Sequence, residues 1–266
     1  METLVNAQSR QAGFHIGEAS EIATARRAAC ELARTLGFNE TAIGEVAIVV
    51  TEAGTNITKY AGSGEILLRK AIRHDGAVGI EILALDKGPG IVHLSRSMQD
   101  GHSTAGSYGI GLGTMERLAD RFDIYTAAGH GTAICLSFWR KPDAKFASGC
   151  DIGMVRLPLA GEAMADDDRD IAGCVLDNGE IHHLISEDGI VGSNLRKLRE
   201  LAGPWSSEAL LIMHSDGIRT RWDLDTYPGL ALLCPALIAA VLYRDFNCGN
   251  GDVTVLVCRQ HGEHRS

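Results

Sequence analysis

The sequence predicts an α/β chain that begins with a two-layer α/β sandwich and continues into a smaller α+β domain. Two observations predict the sandwich: helical apolar patterns precede a pair of strand patterns, and a glycine-rich segment with one more helix separates this pair from a second pair. The third observation is that weaker strand patterns and two helical patterns follow residue 150. Helices grouped against a mixed or antiparallel sheet bury the apolar face of each layer.

Two helices are predicted near the start of the chain. The later of the two should run from about Thr41 to Tyr60. The earlier one lies within residues 20–36 and ends at Gly37, because glycine commonly terminates helices. Its apolar residues recur at helical spacing and are Ile22, Ala25, Ala29, Leu32, Ala33 and Leu36.

Two strand pairs follow these helices. The runs EILLRKAI and VGIEILALD are joined by His74-Asp75-Gly76, a sequence typical of a hairpin turn. A glycine-rich segment covers residues 86–113, and a helix should begin near Gly113. The last pair, FDIYTAA and GTAICLSF, is linked by Gly129-His130-Gly131.

The charge distribution suggests a domain boundary. Residues 1–145 hold 15 Lys+Arg and 16 Asp+Glu, whereas residues 146–266 hold 10 and 18, so the second part carries −8 of the net −9. The polar stretch RKPDAKFASG lies between the two parts, and we predict domains 1–143 and 144–266. The acidic second part argues against nucleic acid or an anionic membrane as a partner.

The composition indicates a cytoplasmic protein. No apolar run reaches the roughly 18 residues that a membrane span needs, and the N-terminus METLVNAQSRQ lacks a signal-peptide pattern. The seven cysteines are odd in number and form no C-x-x-C, so we expect free thiols in a reducing compartment rather than disulfides or zinc ligands.

The first motif with chemical content is TEAGTN, which ends at Asn56, with Lys59 one turn later. Glu52 and Asn56 are four residues apart and therefore share one helix face. An Asn amide oxygen can ligate Mg²⁺, which prefers oxygen donors. A carboxylate one turn earlier can polarise a water or a hydroxyl. This pair alone would more often be a solvated helix face.

Two glycine motifs follow at fixed intervals. Asp86-x-Gly88-x-Gly90 ends a strand, where the carboxylate can accept a hydrogen bond from an exocyclic amine such as that of adenine. Gly109-x-Gly111-x-Gly113 begins a helix, where backbone N–H groups can cradle phosphates. Each motif alone is a common turn; the order of the three motifs is what makes the set specific.

That order resembles the Bergerat-fold ATPases, the superfamily of gyrase, histidine kinases and MutL. The stretches TEAGTNITKYAGSGEILLR, ALDKGPGI and STAGSYGIGLGTMERLADRFDIYTAAGHGTAI resemble in particular the bacterial anti-sigma-factor serine kinases of the RsbT type. The resemblance covers roughly residues 10–140 and implies a Bergerat-type sandwich for this part of the chain.

The resemblance also implies roles for the matching residues. Asn56 would hold Mg²⁺, Glu52 would be the catalytic base for the substrate hydroxyl, and Asp86 would recognise adenine. Residues 91–108 would form a short lid over ATP; the alternative is a plain surface loop. The remaining residues implied to contact the nucleotide are Lys59, Gly88, Gly90, Ser107, Gly109, Gly111, Gly113 and Thr132.

Two other branches of the superfamily fit less well. A sensor histidine kinase needs a phosphoacceptor histidine on an upstream dimerisation helix, and His15 lies in no such helix. Gyrase-like and MutL-like enzymes need a long transducer domain, which we do not find in the sequence.

The second half resembles the C-terminal portion of the SpoIIE/RsbX-type metal-dependent serine phosphatases of the PPM class. The stretches LLIMHSDGIRTRWDL, PALIAAVLYRDF and GDVTVLV carry this resemblance. It implies that Asp216 and Asp252 occupy positions of ligands for Mn²⁺ or Mg²⁺, with Asp167 or Asp168 at an early ligand position. The family's central Asp-Gly-x-Gly-His-Gly segment is not found, so we expect an incomplete, inactive remnant.

Three functional hypotheses follow. The first is an ATP- and Mg²⁺-dependent serine/threonine kinase of a partner-switching pathway, acting on a STAS-domain antagonist. The second is a non-catalytic switch that sequesters a sigma factor or regulator under the control of ATP. The third is a bifunctional kinase and phosphoserine phosphatase. The oligomeric state, including a homodimer, is left open.

Overall fold

The computed structural model describes residues 11–73, 75–98, 111–140, 150–157, 171–177, 180–184, 205–206, 208–249 and 251–260. The chain divides into two compact units, Met1–Ala147 and Ser148–Ser266. The sequence predicts the boundary between residues 143 and 144, four residues earlier. Both units have mixed α/β architecture with antiparallel sheets, which confirms the predicted fold class.

The first unit is a five-stranded antiparallel sheet with helices packed on it, in the strand order β1-β2-β3-β5-β4. Its strands are β1 (Ala12–Ile16), β2 (Gly64–Ile72), β3 (Val78–Asp86), β4 (Arg121–Thr126) and β5 (Thr132–Trp139). Its helices are α1 (Ala19–Thr35), α2 (Glu40–Asn56), the short α3 (Leu94–Ser97) and α4 (Gly111–Leu118). Strand β1 was not predicted, because only Ile16 of its five residues is buried and the alternation that identifies a strand is absent.

The ends of α1 and α2 are fixed by local hydrogen bonds. Glu18 and Glu21 form a reciprocal capping box at the start of α1. The backbone N–H of Gly17 donates to the Glu21 carboxylate, and this bond is the main cause that holds the pKa of Glu21 below its ordinary value of 4.5. Asn39 caps α2 by accepting a hydrogen bond from the Ala42 N–H at 2.9 Å.

The core of the first unit lies between the helices and the sheet. A Cβ on Gly54 would lie 2.9 Å from Ile22, so α1 approaches α2 closely at this glycine. Strands β3 and β5 are buried along almost their whole length, on both faces. Arg69 and Glu81 form a buried cross-strand ion pair at 2.5 Å on β2 and β3.

The second predicted helix changes its hydrogen-bond pattern near its end. Regular α-helix ends at Asn56, and residues Ile57–Ala61 form one π-helical turn that ends at Gly62. The predicted end at Tyr60 was therefore right for the helical region but missed the change of type. Single π-turns inside helices occur frequently at functional sites.

The second unit contains a five-stranded antiparallel sheet in the order β6-β10-β9-β7-β8. Its strands are β6 (Cys150–Leu157), β7 (Ile171–Asp177), β8 (Glu180–Leu184), β9 (Leu210–Ser215) and β10 (Val253–Gln260), and its described residues include the helix α5 (Pro235–Phe246). These elements match strand and helix patterns in the sequence. One of the two helical patterns after residue 150, SNLRKLRELA, lies outside the described residues, as do the acidic residues 166–170.

Two further expectations concern the whole chain. All seven cysteines are free, as predicted, although only Cys135, Cys174 and Cys234 are buried. Burial raises the pKa of the Cys174 thiol to about 11, as expected for an unreactive core cysteine. No helix within the described ranges is long and apolar enough to cross a membrane.

Gly153 is predicted to be essential for packing α5 onto β6. A Cβ at this position would lie 1.9 Å from the backbone nitrogen of Ala236, closer than any real contact. Gly153→Ala should therefore lower the free energy of unfolding of the second unit by about 1–3 kcal/mol. Urea unfolding followed by fluorescence of Trp205 and Trp222 measures this.

Gly251→Ala is the matched control, because no atom lies within 4 Å of the Cβ that it would add. Its unfolding midpoint should stay close to that of the wild type. Equal stability of the Gly153→Ala and Gly251→Ala variants would show that α5 does not pack against Gly153.

Candidate functional site

Glu52, Asn56 and Gly111 lie together between helices α2 and α4. A Cβ on Gly111 would lie 3.1 Å from Glu52 Oε2 and 3.4 Å from both Asn56 Oδ1 and Nδ2. The four-residue spacing places Glu52 and Asn56 on one face of α2, and the packing of α4 against α2 brings Gly111 to that face. Because Gly111 has no side chain, the backbone at the start of α4 can approach both polar groups.

The polar ends of Glu52 and Asn56 are partly exposed and have no hydrogen-bond or ion-pair partner among the described residues. A carboxylate and an amide therefore face the backbone at Gly111, the first described residue of α4. An anion with a bound cation would supply partners for Asn56 and for the backbone N–H groups here.

Lys59 follows Asn56 on the π-helical turn. Its ammonium nitrogen lies 5.0 Å from the centroid of the Tyr60 ring, within the range of a cation–π contact. The π-turn changes the direction in which Lys59 leaves the helix, because each residue there advances by a smaller angle than in an α-helix.

Asp86 ends β3 and is held in a fixed orientation by two backbone donors. Its Oδ1 accepts hydrogen bonds from the N–H of Gly88 at 2.8 Å and from the N–H of Thr132 at 3.1 Å. Asp86 lies opposite Thr132 in the pairing of β3 with β5, so the sheet register creates the second bond. A Cβ on Gly88 would lie 2.8 Å from that of Ala61, which places the glycine loop beside the π-turn.

The glycine loop is attached to the β4–β5 hairpin by contacts that only glycine permits. Gly90 and Gly131 have φ of +74° and +70°, in the left-handed region that favours glycine. A Cβ on Gly90 would lie 2.1 Å from the carbonyl oxygen of Ala127, and one on Gly131 would lie 2.1 Å from that of Asp86. A side chain at either position would push the loop away from the hairpin.

Thr126 is a residue of this region that the sequence analysis missed. Its hydroxyl accepts a hydrogen bond from the N–H of Ile91 at 2.7 Å and lies 3.2 Å from the hydroxyl of Thr132. It also donates to the carbonyl of Gly131 at 3.2 Å. A threonine at the end of a strand is too common for the sequence alone to single it out. The contacts of Thr126 depend on the β4–β5 register.

The remaining predicted site residues divide between described and undescribed parts of the chain. Gly113 is buried within α4. Ser107 and Gly109 lie outside the described residues, as does most of the predicted lid 91–108. The described part of that segment includes the short helix α3, which begins at Leu94.

Asp216 and Asp252 lie at neighbouring strand ends of the second unit. Asp216 follows β9 and is exposed, and Asp252 precedes β10. The hydroxyl of Ser215 accepts from the N–H of Thr254 at 3.0 Å and donates to the carbonyl of Asp252 at 3.3 Å, which joins the two strand ends. In the part of the chain that is described, no group of three or more His, Cys, Asp or Glu side chains is arranged to hold a metal ion. Asp167 and Asp168 lie outside that part.

Comparisons with known proteins concern mainly the first unit. Residues 17–138 match the family model of the histidine kinase-like ATPase domain. The chain is 36% identical over 119 residues to the serine/threonine-protein kinase RsbT of Bacillus subtilis strain 168, covering 45% of this chain and 89% of that protein.

Two solved structures show weaker likeness. The RsbU and RsbW domains of Rv1364c from Mycobacterium tuberculosis are 21% identical, with 52% of this chain and 35% of that chain covered and a TM-score of 0.33. The PP2C phosphatase domain of SpoIIE from Bacillus subtilis, solved with a fragment of its regulatory domain, is 10% identical, with 74% and 83% covered and a TM-score of 0.33. Both TM-scores are low, and neither likeness supports a conclusion about this chain.

The family assignment therefore depends on the sequence match to the first unit. The RsbT relative is matched over 89% of its length. Residues 17–138, which match the family model, contain Glu52, Asn56 and the glycine loop after Asp86. Through residues 17–138, the chain belongs to the histidine kinase-like ATPase domain family.

Proposed function

We propose that this protein is an ATP-dependent serine/threonine protein kinase of a partner-switching pathway, and that its substrate is a STAS-domain antagonist protein. The observation that carries the proposal is the placement of a carboxylate and an amide, Glu52 and Asn56, against the backbone at the start of α4. The relative RsbT, whose name describes a serine/threonine-protein kinase, supports the same activity.

The described residues fit Mg²⁺ and ATP. Asn56 offers an amide oxygen, and a Mg²⁺ site in such enzymes is completed by phosphates and waters rather than by a protein cage. Gly111 leaves open the space that a Cβ would fill beside Asn56, so phosphate oxygens can approach the α4 backbone. Asp86, fixed by the N–H groups of Gly88 and Thr132, would accept a hydrogen bond from the adenine amine. Bound Mg²⁺ would neutralise negative charge on the phosphates.

Glu52 is the catalytic base in this proposal. Its carboxylate would accept the proton of the substrate hydroxyl as the hydroxyl oxygen bonds to the γ-phosphorus and the bond to ADP breaks. Asn56 lies one turn from Glu52 on the same face, so the residue that would hold the cation and the residue that would take the proton are fixed by one rigid helix. Such positioning supplies much of the rate enhancement in phosphoryl transfer.

The cellular setting is part of the same proposal. Seven free cysteines favour a reducing compartment, and we place the protein in the cytoplasm. The rival hypothesis is a switch that binds a sigma factor or regulator under ATP control without phosphorylating it. The two hypotheses differ in whether label from ATP reaches the partner.

Glu52→Gln should abolish phosphorylation while preserving nucleotide binding. The amide cannot take a proton, so transfer of the γ-phosphate of labelled ATP to a purified STAS-domain protein should fall by about 10²–10⁴-fold. ATP affinity, measured by calorimetry, should change little because Glu52 binds the hydroxyl rather than the nucleotide.

Glu31→Gln, on the exposed side of α1, is the control and should retain full activity. Tight complex formation with a STAS-domain protein or a sigma factor, with no transfer of label by the wild type, would refute the kinase hypothesis and favour the switch.

Asp86→Asn should change which base the site accepts. The asparagine retains Oδ1 as acceptor for Gly88 and Thr132, so the loop stays in place. The new NH₂ group would face the adenine amine, so two hydrogen-bond donors would point at each other. The affinity for ATP should therefore fall by about tenfold or more. The guanine of GTP presents a carbonyl oxygen at the position of the adenine amine, so the affinity for GTP relative to ATP should rise.

Competition between ATP and GTP for a fluorescent nucleotide measures this change. The control is the Asp216→Asn variant, because Asp216 is exposed. Glu81 is unsuitable as a control because it pairs with Arg69. Unchanged preference for ATP in Asp86→Asn would show that Asp86 does not contact the base.

We further propose that the second unit is a phosphatase remnant without activity. Asp216 and Asp252 lie at adjacent strand ends, but two divalent cations need about six oxygen ligands each. The absence of the Asp-Gly-x-Gly-His-Gly segment from the sequence supports the loss of further ligands. The bifunctional kinase–phosphatase remains the alternative.

The 266-residue chain should release no phosphate from a phosphorylated STAS-domain protein in the presence of Mn²⁺. Asp216→Ala should therefore behave like the wild type in a phosphate-release assay. Manganese-dependent release that is lost in Asp216→Ala would establish the bifunctional alternative.

A further inference from the structure

The outward face of α2 carries an exposed apolar side chain beside the candidate site. Ile48 is 47% exposed and lies four residues before Glu52, one helical turn away on the same face. Single exposed apolar residues are ordinary on protein surfaces. In the described part of the first unit, however, the large exposed apolar side chains all lie on segments that carry the site motifs: Ile48, Tyr60 and Val92.

The surroundings of Ile48 are open and acidic. Gly44 lies one turn before it, is exposed, and has no atom within 4 Å of the position of a Cβ. Glu45 is on the same face and has no ion-pair partner among the described residues. The charged residues of α2 are all glutamates, and no Lys or Arg occurs in residues 35–58.

We propose that this α2 face, formed by Gly44, Glu45 and Ile48, is the docking surface for the substrate protein. The inference rests on the proposed kinase function, in which a substrate hydroxyl must come within hydrogen-bond reach of Glu52. The segment that carries the hydroxyl must then cover the adjacent turn of α2, about 6 Å away along the axis.

The chemistry of the face defines the partner segment. An apolar side chain of the substrate would pack over Gly44 and against Ile48, where the missing Cβ leaves room. A Lys or Arg of the substrate would pair with Glu45. Three consecutive turns of α2 then have separate roles: Ile48 docks the substrate, Glu52 takes its proton and Asn56 holds the cation of the nucleotide.

Ile48→Glu tests the apolar contact. Glutamate has at least the helix propensity of isoleucine, so α2 should remain folded. The KM for a STAS-domain protein that the wild type phosphorylates should rise by about tenfold (~1.4 kcal/mol). The kcat at saturating substrate and the ATP affinity should be unchanged. Leu232→Glu, an equally drastic change at an exposed leucine of the second unit, should leave KM unchanged.

Gly44→Gln separates docking from folding. Replacement of a helical glycine should raise the unfolding temperature, because glycine is an unfavourable helix residue. The added side chain would cover the platform beside Ile48, so KM should rise although the protein is more stable. A damaged fold cannot produce both results.

Glu45→Lys tests the charge. KM should rise by about threefold at low salt, and the difference should disappear at high salt because exposed charges are screened. Unchanged KM in Ile48→Glu and Gly44→Gln, with normal labelling by the wild type, would overturn the docking surface and leave the kinase proposal intact. Failure of the wild type to label any STAS-domain protein would refute the kinase proposal and this surface with it.

Discussion

The antiparallel pairing of β3 with β5 is the constraint on which the candidate site depends. It places Asp86 opposite Thr132, so that one carboxylate oxygen accepts from both Thr132 and Gly88. The glycine loop begins at this point and is attached to the hairpin through Gly90 and Gly131. A shift of the register by one residue would turn Asp86 to the other face of the sheet and separate these bonds.

Helix α2 supplies the other half of the site and is held as firmly as the glycine loop. Its N-terminus is capped by Asn39, and its inner face packs closely on α1 at Gly54. The outer face, which carries Ile48 and Glu52, is left accessible. In the proposed function, a rigid helix that carries the base, the cation ligand and the apolar contact at successive turns would need little rearrangement to align a protein substrate with a nucleotide.

The two units differ in how much chemistry their described residues support. The first places Glu52 and Asn56, which have no hydrogen-bond or ion-pair partner among the described residues, against the backbone at Gly111. A ligand could complete this arrangement. The second has a well-packed helix α5 and a hydrogen-bonded junction of strand ends at Ser215, but Asp216 and Asp252 are not part of a metal-binding group among the described residues.

Local patterns in the sequence determined most helices and strands, because apolar periodicity reflects which face each element buries. They also predicted Glu52, Asn56 and Asp86 as site residues, since residue type and spacing are visible along the chain. Only the tertiary structure decided that Gly111 meets Glu52 and Asn56, that Thr126 bonds to Ile91, and that Ile48 is exposed one turn from Glu52. The first two contacts join residues that are far apart in sequence, and the exposure of Ile48 depends on which helix face remains uncovered. All of these features follow from packing rather than from local propensity. The short edge strand β1 and the π-turn were missed because neither has a periodic signal of its own.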